Sequence, residues 1–413
     1  MGQGNFTPAY IVVPEGSITT PKGFSAGGLH CGLKKAERHD LGAIVCEVPA
    51  NAAGVYTTNV FQAAPIQVTR ASIEAGGVLR AIIVNSGNAN ACTGKQGEAD
   101  AYEMRNKFAE AIHVPIEHVA VASTGVIGEL LKMDRVRGGI AELPARLSST
   151  YEAADDFCQS ILTTDLVKKE VCVSVTVDGK EVHIAGASKG SGMIHPNMAT
   201  MLGFVTTDAA IGSEALHRLL RKATDLTFNM ITVDGDTSTN DMLVAMASGL
   251  AENEELNEAH SDWAAFAEGL RYVCEVLAKA IARDGEGATK LVEVQVRGAV
   301  TDEAGQAIAK TVIGSSLVKS AIFGADANWG RIIAAVGRAG QPVNPETVDI
   351  RLGDIVTLSQ SRPVAFDEEA ALAYLKGDTV IIHVDLHMGE GTATAWGCDL
   401  TYDYVRINAA YRT

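Results

Sequence analysis

The sequence lacks several features that would place it in a specialised class of protein. Its seven cysteines are scattered and form no C-x-x-C pair, which argues against a disulfide framework or a zinc site and favours reduced thiols. The N-terminus has no basic stretch followed by an apolar core, so we expect no signal peptide. No uncharged apolar run reaches the roughly 18 residues that span a bilayer. We therefore expect a soluble, cytoplasmic protein.

Positive charge is scarce as well. The chain has 50 acidic and 34 basic residues among 413, a net charge of −16, which argues against nucleic acid or an anionic membrane as a partner. Its ten histidines show no spacing such as H-E-x-x-H, and we expect no metal and no organic cofactor. With 47% apolar and 20% charged residues, the composition is that of a globular protein. The length suits two domains or one large α/β unit.

Apolar periodicity predicts a mixed α/β chain without internal repeats. Alternating patterns predict strands over 171–177, 181–185, 291–296 and 348–352. Residues 79–84 and 119–122 are predicted to be buried strands, and 203–208 a short strand. Helical spacing predicts helices around 101–112, 216–223 and 263–281. Asp178-Gly179 indicates a type I′ hairpin turn, and residues 379–386 are predicted to pair with 392–400 across Gly389–Gly391. Sheets covered by helices follow from this pattern.

Residues 189–202 are the most informative segment for chemistry. They read K-G-S-G-M-I-H-P-N-M-A-T-M-L and place Thr200 directly after the small residue Ala199. Glycine and proline make the segment a poor helix or strand. Further motifs are G-V-Y-T-T-N (54–59), N-S-G-N-A-N (85–90), S-T-G-V-I-G (123–128), T-T-D (163–165), V-D-G-D-T-S-T-N-D (233–241), D-G-E-G-A-T-K (284–290), G-A-D-A-N-W-G-R (324–331) and I-N-A-A-Y-R-T (407–413).

In this order, the motifs resemble those of the ornithine acetyltransferase family, also called glutamate N-acetyltransferases, enzymes of the arginine pathway. The resemblance covers nearly the whole chain. It implies an αββα sandwich like that of N-terminal-nucleophile enzymes, with a smaller C-terminal α/β portion. It also implies self-cleavage between Ala199 and Thr200. The fragments, 1–199 (α) and 200–413 (β), would remain associated, as an α2β2 assembly.

The chemistry of threonine explains why such a cut would matter. A threonine hydroxyl is a weak nucleophile until a base takes its proton. Cleavage before Thr200 would leave a free α-amine, of ordinary pKa about 7.7–8.0, on the same residue, where it can serve as that base. The resemblance implies that Thr200 is the nucleophile and that Thr124 and Gly125 form the oxyanion hole. It assigns substrate binding to Thr163, Lys189, Thr200, Glu286, Asn408 and Thr413.

The activity implied by the resemblance is acetyl transfer from N-acetylornithine to L-glutamate through an acetyl-Thr200 intermediate. A bifunctional version would also use acetyl-CoA as a co-substrate, a choice that the sequence leaves open. Three alternatives remain at this stage. They are a self-processing aminopeptidase or amidohydrolase with an N-terminal nucleophile, a binding protein that keeps the fold without cleavage, and a related acetyltransferase of secondary metabolism.

Three local patterns compete with this interpretation. The G-A-S-K-G sequence around Ser188 matches a nucleophile elbow, but the elbow needs a helix directly after the serine, and glycine and proline follow instead. Asp234, Asp236 and Ser238 resemble the start of a calcium loop whose later positions fail. His195 lies five residues before Thr200, and the α-amine would make it unnecessary as a base.

Overall fold

The computed structural model describes residues 8–195 and 201–410. The strands are β1 (Tyr10–Val12), β2 (Phe24–Leu29), β3 (Leu41–Tyr56), β4 (Val78–Asn88), β5 (Val119–Val126), β6 (Lys169–Val177), β7 (Lys180–Lys189), β8 (Leu202–Thr207), β9 (Ile231–Thr232), β10 (Met242–Ala247), β11 (Leu291–Ala299), β12 (Asp349–Leu352), β13 (Ile355–Ser359), β14 (Arg362–Pro363), β15 (Thr379–Asp385) and β16 (Gly391–Cys398). The helices are α1 (Ala64–Glu74), α2 (Gly94–Ala111), α3 (Met133–Glu142), α4 (Tyr151–Ile161), α5 (Ser213–Leu226), α6 (Trp263–Arg283), α7 (Asp302–Ile313), α8 (Ser316–Phe323), α9 (Trp329–Gly337), α10 (Glu368–Leu375) and α11 (Tyr402–Ala410).

The first sheet has two arms joined by the long strand β3. Its order is β1-β6-β7-β8-β10-β3-β4-β5, with β2 paired to β3. The first half of β3 pairs with β2 and β4, whereas its second half pairs with β10. The β3–β4 register shifts between Val45 and Ala50, and such irregularities bend a strand. One arm is therefore β2-β3-β4-β5, and the other is β3-β10-β8-β7-β6-β1.

Side-chain alternation shows that the two arms share a core. Phe204 and Val244 of one arm are buried in the same apolar cluster as Ile82 and Ala122 of the other. The opposite face of β4 and β5 packs against α1, α2 and α3. The opposite face of β7, β8 and β10 packs against α5 and α6. The layers are thus helix, sheet, sheet, helix, which confirms the predicted αββα sandwich.

A second, smaller sheet forms the C-terminal part of the chain. Its order is β14-β13-β12-β15-β11-β16-β9. Helix α7 packs against β11 and β16, while α6 contacts strands of both sheets. The predicted C-terminal α/β portion is therefore present, and α6 connects it to the sandwich. Within residues 8–195 and 201–410, no helix is both long and apolar enough to cross a membrane.

The two segments 1–199 and 200–413 do not correspond to separate layers. Strands β8 and β10 lie after residue 200, yet they occupy the middle of the first sheet between β7 and β3. Strand β8 pairs with β7 along Ile184–Lys189. The two segments therefore share one hydrogen-bonded sheet.

One predicted hairpin is confirmed and another is wrong. Asp178 and Gly179 have φ values of 52° and 70°, as a type I′ turn between β6 and β7 requires. Strands β15 and β16 do not pair with each other, because β11 lies between them. Their connection crosses the end of β11 at Gly298, where a Cβ would lie 2.6 Å from the backbone nitrogen of His387. Periodicity identified all three strands but not the order in which they pair.

Candidate active site

A cavity of about 250 Å³ lies between β5 of one arm and β7 and β8 of the other. Its remaining walls come from the loop after α4, the loop between β9 and β10, the loop after α6, and α11. The described residues that line it are Ala89, Thr124, Gly125, Ile127, Thr163, Thr164, Lys189, Gly190, Gly192, Met193, Ile194, Met201, Leu202, Asp234, Asp236, Ser238, Asn240, Asp241, Glu286, Tyr404 and Asn408.

The predicted oxyanion-hole residues, Thr124 and Gly125, lie in β5 and face this cavity. Gly125 has a φ of +133°, and a Cβ there would lie 2.4 Å from the carbonyl carbon of Gly87. The close approach of β4 and the backbone conformation therefore both require glycine. The side-chain amide of Asn240 donates to the Ser123 carbonyl at 2.8 Å. This bond fixes β5 directly before Thr124.

Lys189 joins the two arms across the cavity. It ends β7, and its Nζ donates to the Thr124 hydroxyl oxygen at 3.2 Å. The lysine is buried, and this burial lowers the pKa of its ammonium group, although the nearby Asp165 carboxylate opposes the shift. Because an ammonium can only donate, the Thr124 oxygen must accept this bond. The Thr124 hydroxyl proton is then free to donate to another oxygen in the cavity.

Asp165 organises the charges behind Lys189. Its carboxylate accepts hydrogen bonds from Lys169 Nζ at 2.8 Å and from the Gly190 backbone N–H at 2.7 Å. Lys169 also donates to Asp284 at 2.6 Å. Burial disfavours the ionised carboxyl, but Lys189 and Lys169 outweigh this effect and hold the pKa of Asp165 well below its ordinary value. The buried network therefore keeps Asp165 ionised.

The sequence motifs do not reveal this network. They contain Asp165 and Asp284 without indicating a function for either, and Lys169 belongs to none of them. A lysine beside an apolar strand is usually a solvated charge, whereas Lys169 is 2% exposed. The only signal in the sequence was its position at the start of the alternating strand β6, and that position does not identify its partners.

Glu286 and Asn408, both predicted to bind substrate, line the cavity and are in contact with each other. The Asn408 side-chain amide donates to the Glu286 carboxylate at 2.8 Å. A Cβ at Gly192 would lie 2.4 Å from the Glu286 carboxyl carbon, so only glycine leaves room for this carboxylate. Thr163 also lines the cavity, and its backbone N–H donates to Asp165 at 3.0 Å. The structure thus brings four of the predicted substrate-binding residues, Thr163, Lys189, Glu286 and Asn408, to one cavity with both predicted oxyanion-hole residues.

The described lining of the cavity is mainly acidic. Lys189 is the only lysine or arginine among its described lining residues, whereas Asp234, Asp236, Asp241 and Glu286 supply four carboxyl groups. Asp241 is buried, and burial raises its pKa well above the ordinary value. Such a lining fits a small ligand that carries a carboxylate for the lysine and an amino group for the acidic wall.

Three of the predicted site residues, Ala199, Thr200 and Thr413, lie outside the described residues. The first described residue after the predicted cleavage point, Met201, is 2% exposed and lines the cavity. Its carbonyl accepts a hydrogen bond from the Met242 backbone N–H at 2.9 Å. The chain that follows Thr200 is therefore fixed at the edge of the site.

The competing nucleophile Ser188 is not supported. It lies inside strand β7 and is 1% exposed, so the helix that a nucleophile elbow requires does not follow it. His195 is absent from the described residues that line the cavity. Its Nδ1 lies 2.9 Å from the Thr232 hydroxyl, and burial lowers its pKa to about 4, so the ring is neutral at physiological pH.

The described residues contain one group of three side chains with the arrangement of metal ligands, Asp178, His260 and Asp262. It lies at the β6–β7 turn, and none of the three lines the cavity. His260 Nε2 lies 3.2 Å from Asp178, and the Asp178 backbone N–H donates to Asp262 at 2.9 Å. These contacts give the group a role in holding the turn.

Comparison with known proteins gives a consistent family assignment. The ArgJ family model matches residues 25–413. A protein of Geobacillus kaustophilus named arginine biosynthesis bifunctional protein ArgJ is 59% identical over 407 residues, which are 98% of each chain. A protein of the same name from Halalkalibacterium halodurans is 60% identical over 410 residues, which are 99% of each chain.

A solved structure agrees with these relatives. The crystal structure of arginine biosynthesis bifunctional protein argJ from Bacillus halodurans has 63% sequence identity to this chain and a TM-score of 0.50. The match covers 98% of the crystallised chain and 50% of this one.

Proposed function

This chain belongs to the ArgJ family, and from that premise we propose the reaction, residue roles and maturation of an acetyltransferase of arginine biosynthesis. It transfers an acetyl group from N-acetylornithine to L-glutamate through an acetyl-Thr200 intermediate. The observation that carries this proposal is the cavity in which Lys189 Nζ donates a hydrogen bond to the Thr124 hydroxyl oxygen. Met201, the residue directly after the predicted nucleophile, lines the same cavity. Among the described lining residues, one lysine and several carboxyl groups fit charged amino acids better than a neutral peptide.

Maturation by cleavage between Ala199 and Thr200 supplies the catalytic amine. The Thr200 hydroxyl attacks the Ala199 carbonyl, the C–N bond breaks, and water hydrolyses the resulting ester. The crystallised relative supports two fragments, because a match using 98% of its chain covers half of this one. The fragments 1–199 and 200–413 remain associated since β7 and β8 pair across the cut.

The first half-reaction acetylates the enzyme. Thr200 Oγ attacks the acetyl carbonyl of N-acetylornithine while its proton passes to the Thr200 α-amine. Thr124 and Gly125 donate hydrogen bonds to the oxyanion. The C–N bond then breaks, and the departing ornithine nitrogen takes the proton from the α-ammonium.

The second half-reaction returns the enzyme to its starting state. The uncharged amine of glutamate attacks the acetyl-Thr200 ester, and the same two donors stabilise the oxyanion. The C–O bond breaks, and the proton lost by the nitrogen returns through the α-amine to Thr200 Oγ. The products are N-acetylglutamate and the free hydroxyl.

Substrate binding follows the charges of the cavity. Lys189 holds the α-carboxylate of either amino acid, and Glu286 holds the side-chain ammonium of ornithine. Asn408 orients Glu286 through their hydrogen bond. Because its amide group also donates to the Tyr404 carbonyl, its side-chain oxygen is the atom that it offers to substrate. Thr163 and the C-terminal Thr413 complete the proposed contacts.

The bifunctional names of the relatives favour a second activity, acetyl transfer from acetyl-CoA to glutamate. Initial rates with acetyl-CoA and glutamate, without N-acetylornithine, test it; no product above background removes it. The chemistry uses only groups of the chain, so we propose no metal and no resident cofactor. We also propose a cytoplasmic location and an α2β2 assembly.

The decisive experiment is a denaturing intact-mass spectrum before and after exposure to N-acetylornithine without glutamate. We expect two fragments, split at Ala199–Thr200, and one acetyl group on the second fragment. The Thr200→Ala variant should stay whole and inactive while folding normally. Fragments without the adduct, together with turnover of peptide amides, would favour a hydrolase. A wild-type chain that stays whole would overturn the proposed maturation.

A further inference from the structure

We propose that Asp234 is a positioning residue for self-cleavage, which clamps the chain just before the segment that contains the scissile bond. The inference rests on the proposed function, because it assumes cleavage between Ala199 and Thr200. Asp234 belongs to the loop between β9 and β10, on the opposite side of the cut in sequence. It therefore acts through hydrogen bonds between the two future fragments.

The two oxygens of Asp234 hold two consecutive residues. One accepts a hydrogen bond from the Met193 backbone N–H at 2.7 Å, and the other accepts from the Ile194 backbone N–H at 2.8 Å. A carboxylate that bridges adjacent N–H groups makes two charge-assisted bonds and fixes the direction of the backbone. Met193 has a φ of +57°, a conformation that is strained for a residue other than glycine.

Neighbours of Asp234 hold the carbonyl side of the same segment. The Ile194 carbonyl accepts from the Val233 backbone N–H at 2.7 Å and from the Thr232 hydroxyl at 3.1 Å. The Thr237 hydroxyl donates to the His195 carbonyl at 2.7 Å. Each residue from 193 to 195 is thus hydrogen-bonded to the segment 232–237. We call the segment 232–237 the clamp.

The far side of the predicted cut is anchored to the same stretch of chain. The Met242 backbone N–H donates to the Met201 carbonyl, and β8 and β10 continue as a parallel pair from Leu202 and Met242. The points where the chain enters and leaves residues 196–200 are therefore both fixed against residues 232–242. Neither anchor depends on those five residues.

Fixed ends are what an intramolecular acyl shift requires. The Thr200 Oγ–Ala199 carbonyl bond forms as the Ala199–Thr200 C–N bond breaks, and the hydroxyl proton passes to the new amine. Water then cleaves the ester, leaving a carboxylate on Ala199 and restoring the hydroxyl. Such a reaction depends on how often the hydroxyl and the carbonyl meet in the reactive geometry. Loosening residues 193–195 lowers that frequency without removing a reacting group.

The main test compares the cleavage rates of Asp234→Asn, wild type and Asp354→Asn, each followed by intact mass from newly made precursor. Asparagine at 234 turns one acceptor into a donor facing an N–H group, so cleavage should slow about tenfold or more. Asp354→Asn removes the same charge from an exposed turn between β12 and β13, outside both the cavity and the clamp, and should cleave within about twofold of wild type. Asp234→Glu keeps both acceptor oxygens and should recover part of the rate.

Urea unfolding of the same variants in the uncut Thr200→Ala background separates positioning from general stability. An unchanged midpoint with slower cleavage supports the clamp. If Asp234→Asn fails to fold, Thr237→Val is the test variant instead. It removes only the hydrogen bond from the Thr237 hydroxyl to the His195 carbonyl and should also slow cleavage. Cleavage of the folded Asp234→Asn chain, or failing that of Thr237→Val, at the wild-type rate overturns the inference alone. A wild-type chain that never cleaves overturns the inference together with the proposed maturation.

Discussion

Replacing Thr124 by valine tests the proposed oxyanion hole most directly. Valine keeps the shape of threonine and removes only the hydroxyl, at a residue that is 9% exposed. The Lys189 ammonium already donates a hydrogen bond to the Thr124 hydroxyl oxygen. The hydroxyl proton is therefore the group left to stabilise the oxyanion. Losing one such donor costs about 3–4 kcal/mol of transition-state stabilisation in acyl-transfer enzymes. We therefore expect kcat to fall about 10²–10³-fold.

The assay must separate this loss from incomplete maturation. The fraction of cleaved chain in each preparation is determined by intact mass. This fraction is used to normalise the kcat for ornithine release from N-acetylornithine in the presence of glutamate. KM should change less than kcat, since the hydroxyl acts mainly in the transition state. Thr124→Ser retains the donor and should stay within about tenfold of wild type.

The serine variant also controls for the altered packing beside Lys189. Both variants enlarge or alter the space beside the Lys189 ammonium, but only valine leaves that ammonium without its hydroxyl acceptor. A fall in kcat for valine with little change for serine supports the oxyanion role. A fully matured Thr124→Val enzyme with the kcat of Thr124→Ser would refute the assignment of the hydroxyl as a donor.

Asp165→Asn should lower the free energy of unfolding by about 3 kcal/mol, because it removes the carboxylate that most favours the charged form of the buried Lys189, while Lys169 keeps Asp284. Since the folded-state pKa of Asp165 is depressed, its stabilisation is present above the unfolded value of about 3.9 and is lost as pH falls through the folded value. The difference in free energy of unfolding between wild type and variant, measured in urea, should stay constant from pH 7 to 5 and become smaller below about pH 4. An unchanged difference at pH 3 would contradict this account. Gly192→Ala places a Cβ within 2.5 Å of the Glu286 carboxylate oxygens and should raise the KM for N-acetylornithine about tenfold by displacing that carboxylate. Gly138→Ala in α3, where a Cβ meets nothing within 4 Å, is its matched control, and equal KM values for the two variants would argue against Glu286 as the ammonium site.

Features set by neighbouring residues were predictable from the sequence. The type I′ turn at Asp178-Gly179 follows from two residues that tolerate positive φ. Helix α6 follows from apolar residues at helical spacing over a long segment. The pairing of β15 and β16 depends instead on which strand lies between them, and closeness in sequence favoured the wrong partner.

The candidate site shows the same division. The resemblance identified Thr124, Lys189, Glu286 and Asn408, and the structure brings all four to one cavity. It did not identify what holds them. Lys169 and Asp284 support Lys189 through Asp165 from positions far apart in the chain, and no local pattern distinguishes such a buried lysine from a solvated one.

The distribution of the site over the chain explains why a cut in its middle need not destroy it. Thr124 and Lys189 precede the predicted cleavage point, whereas Glu286 and Asn408 follow it. The same sheet carries β7 from the first segment and β8 from the second, joined by a continuous ladder. The proposed cleavage would therefore break one covalent bond inside a unit whose burial and hydrogen bonding are shared by both segments.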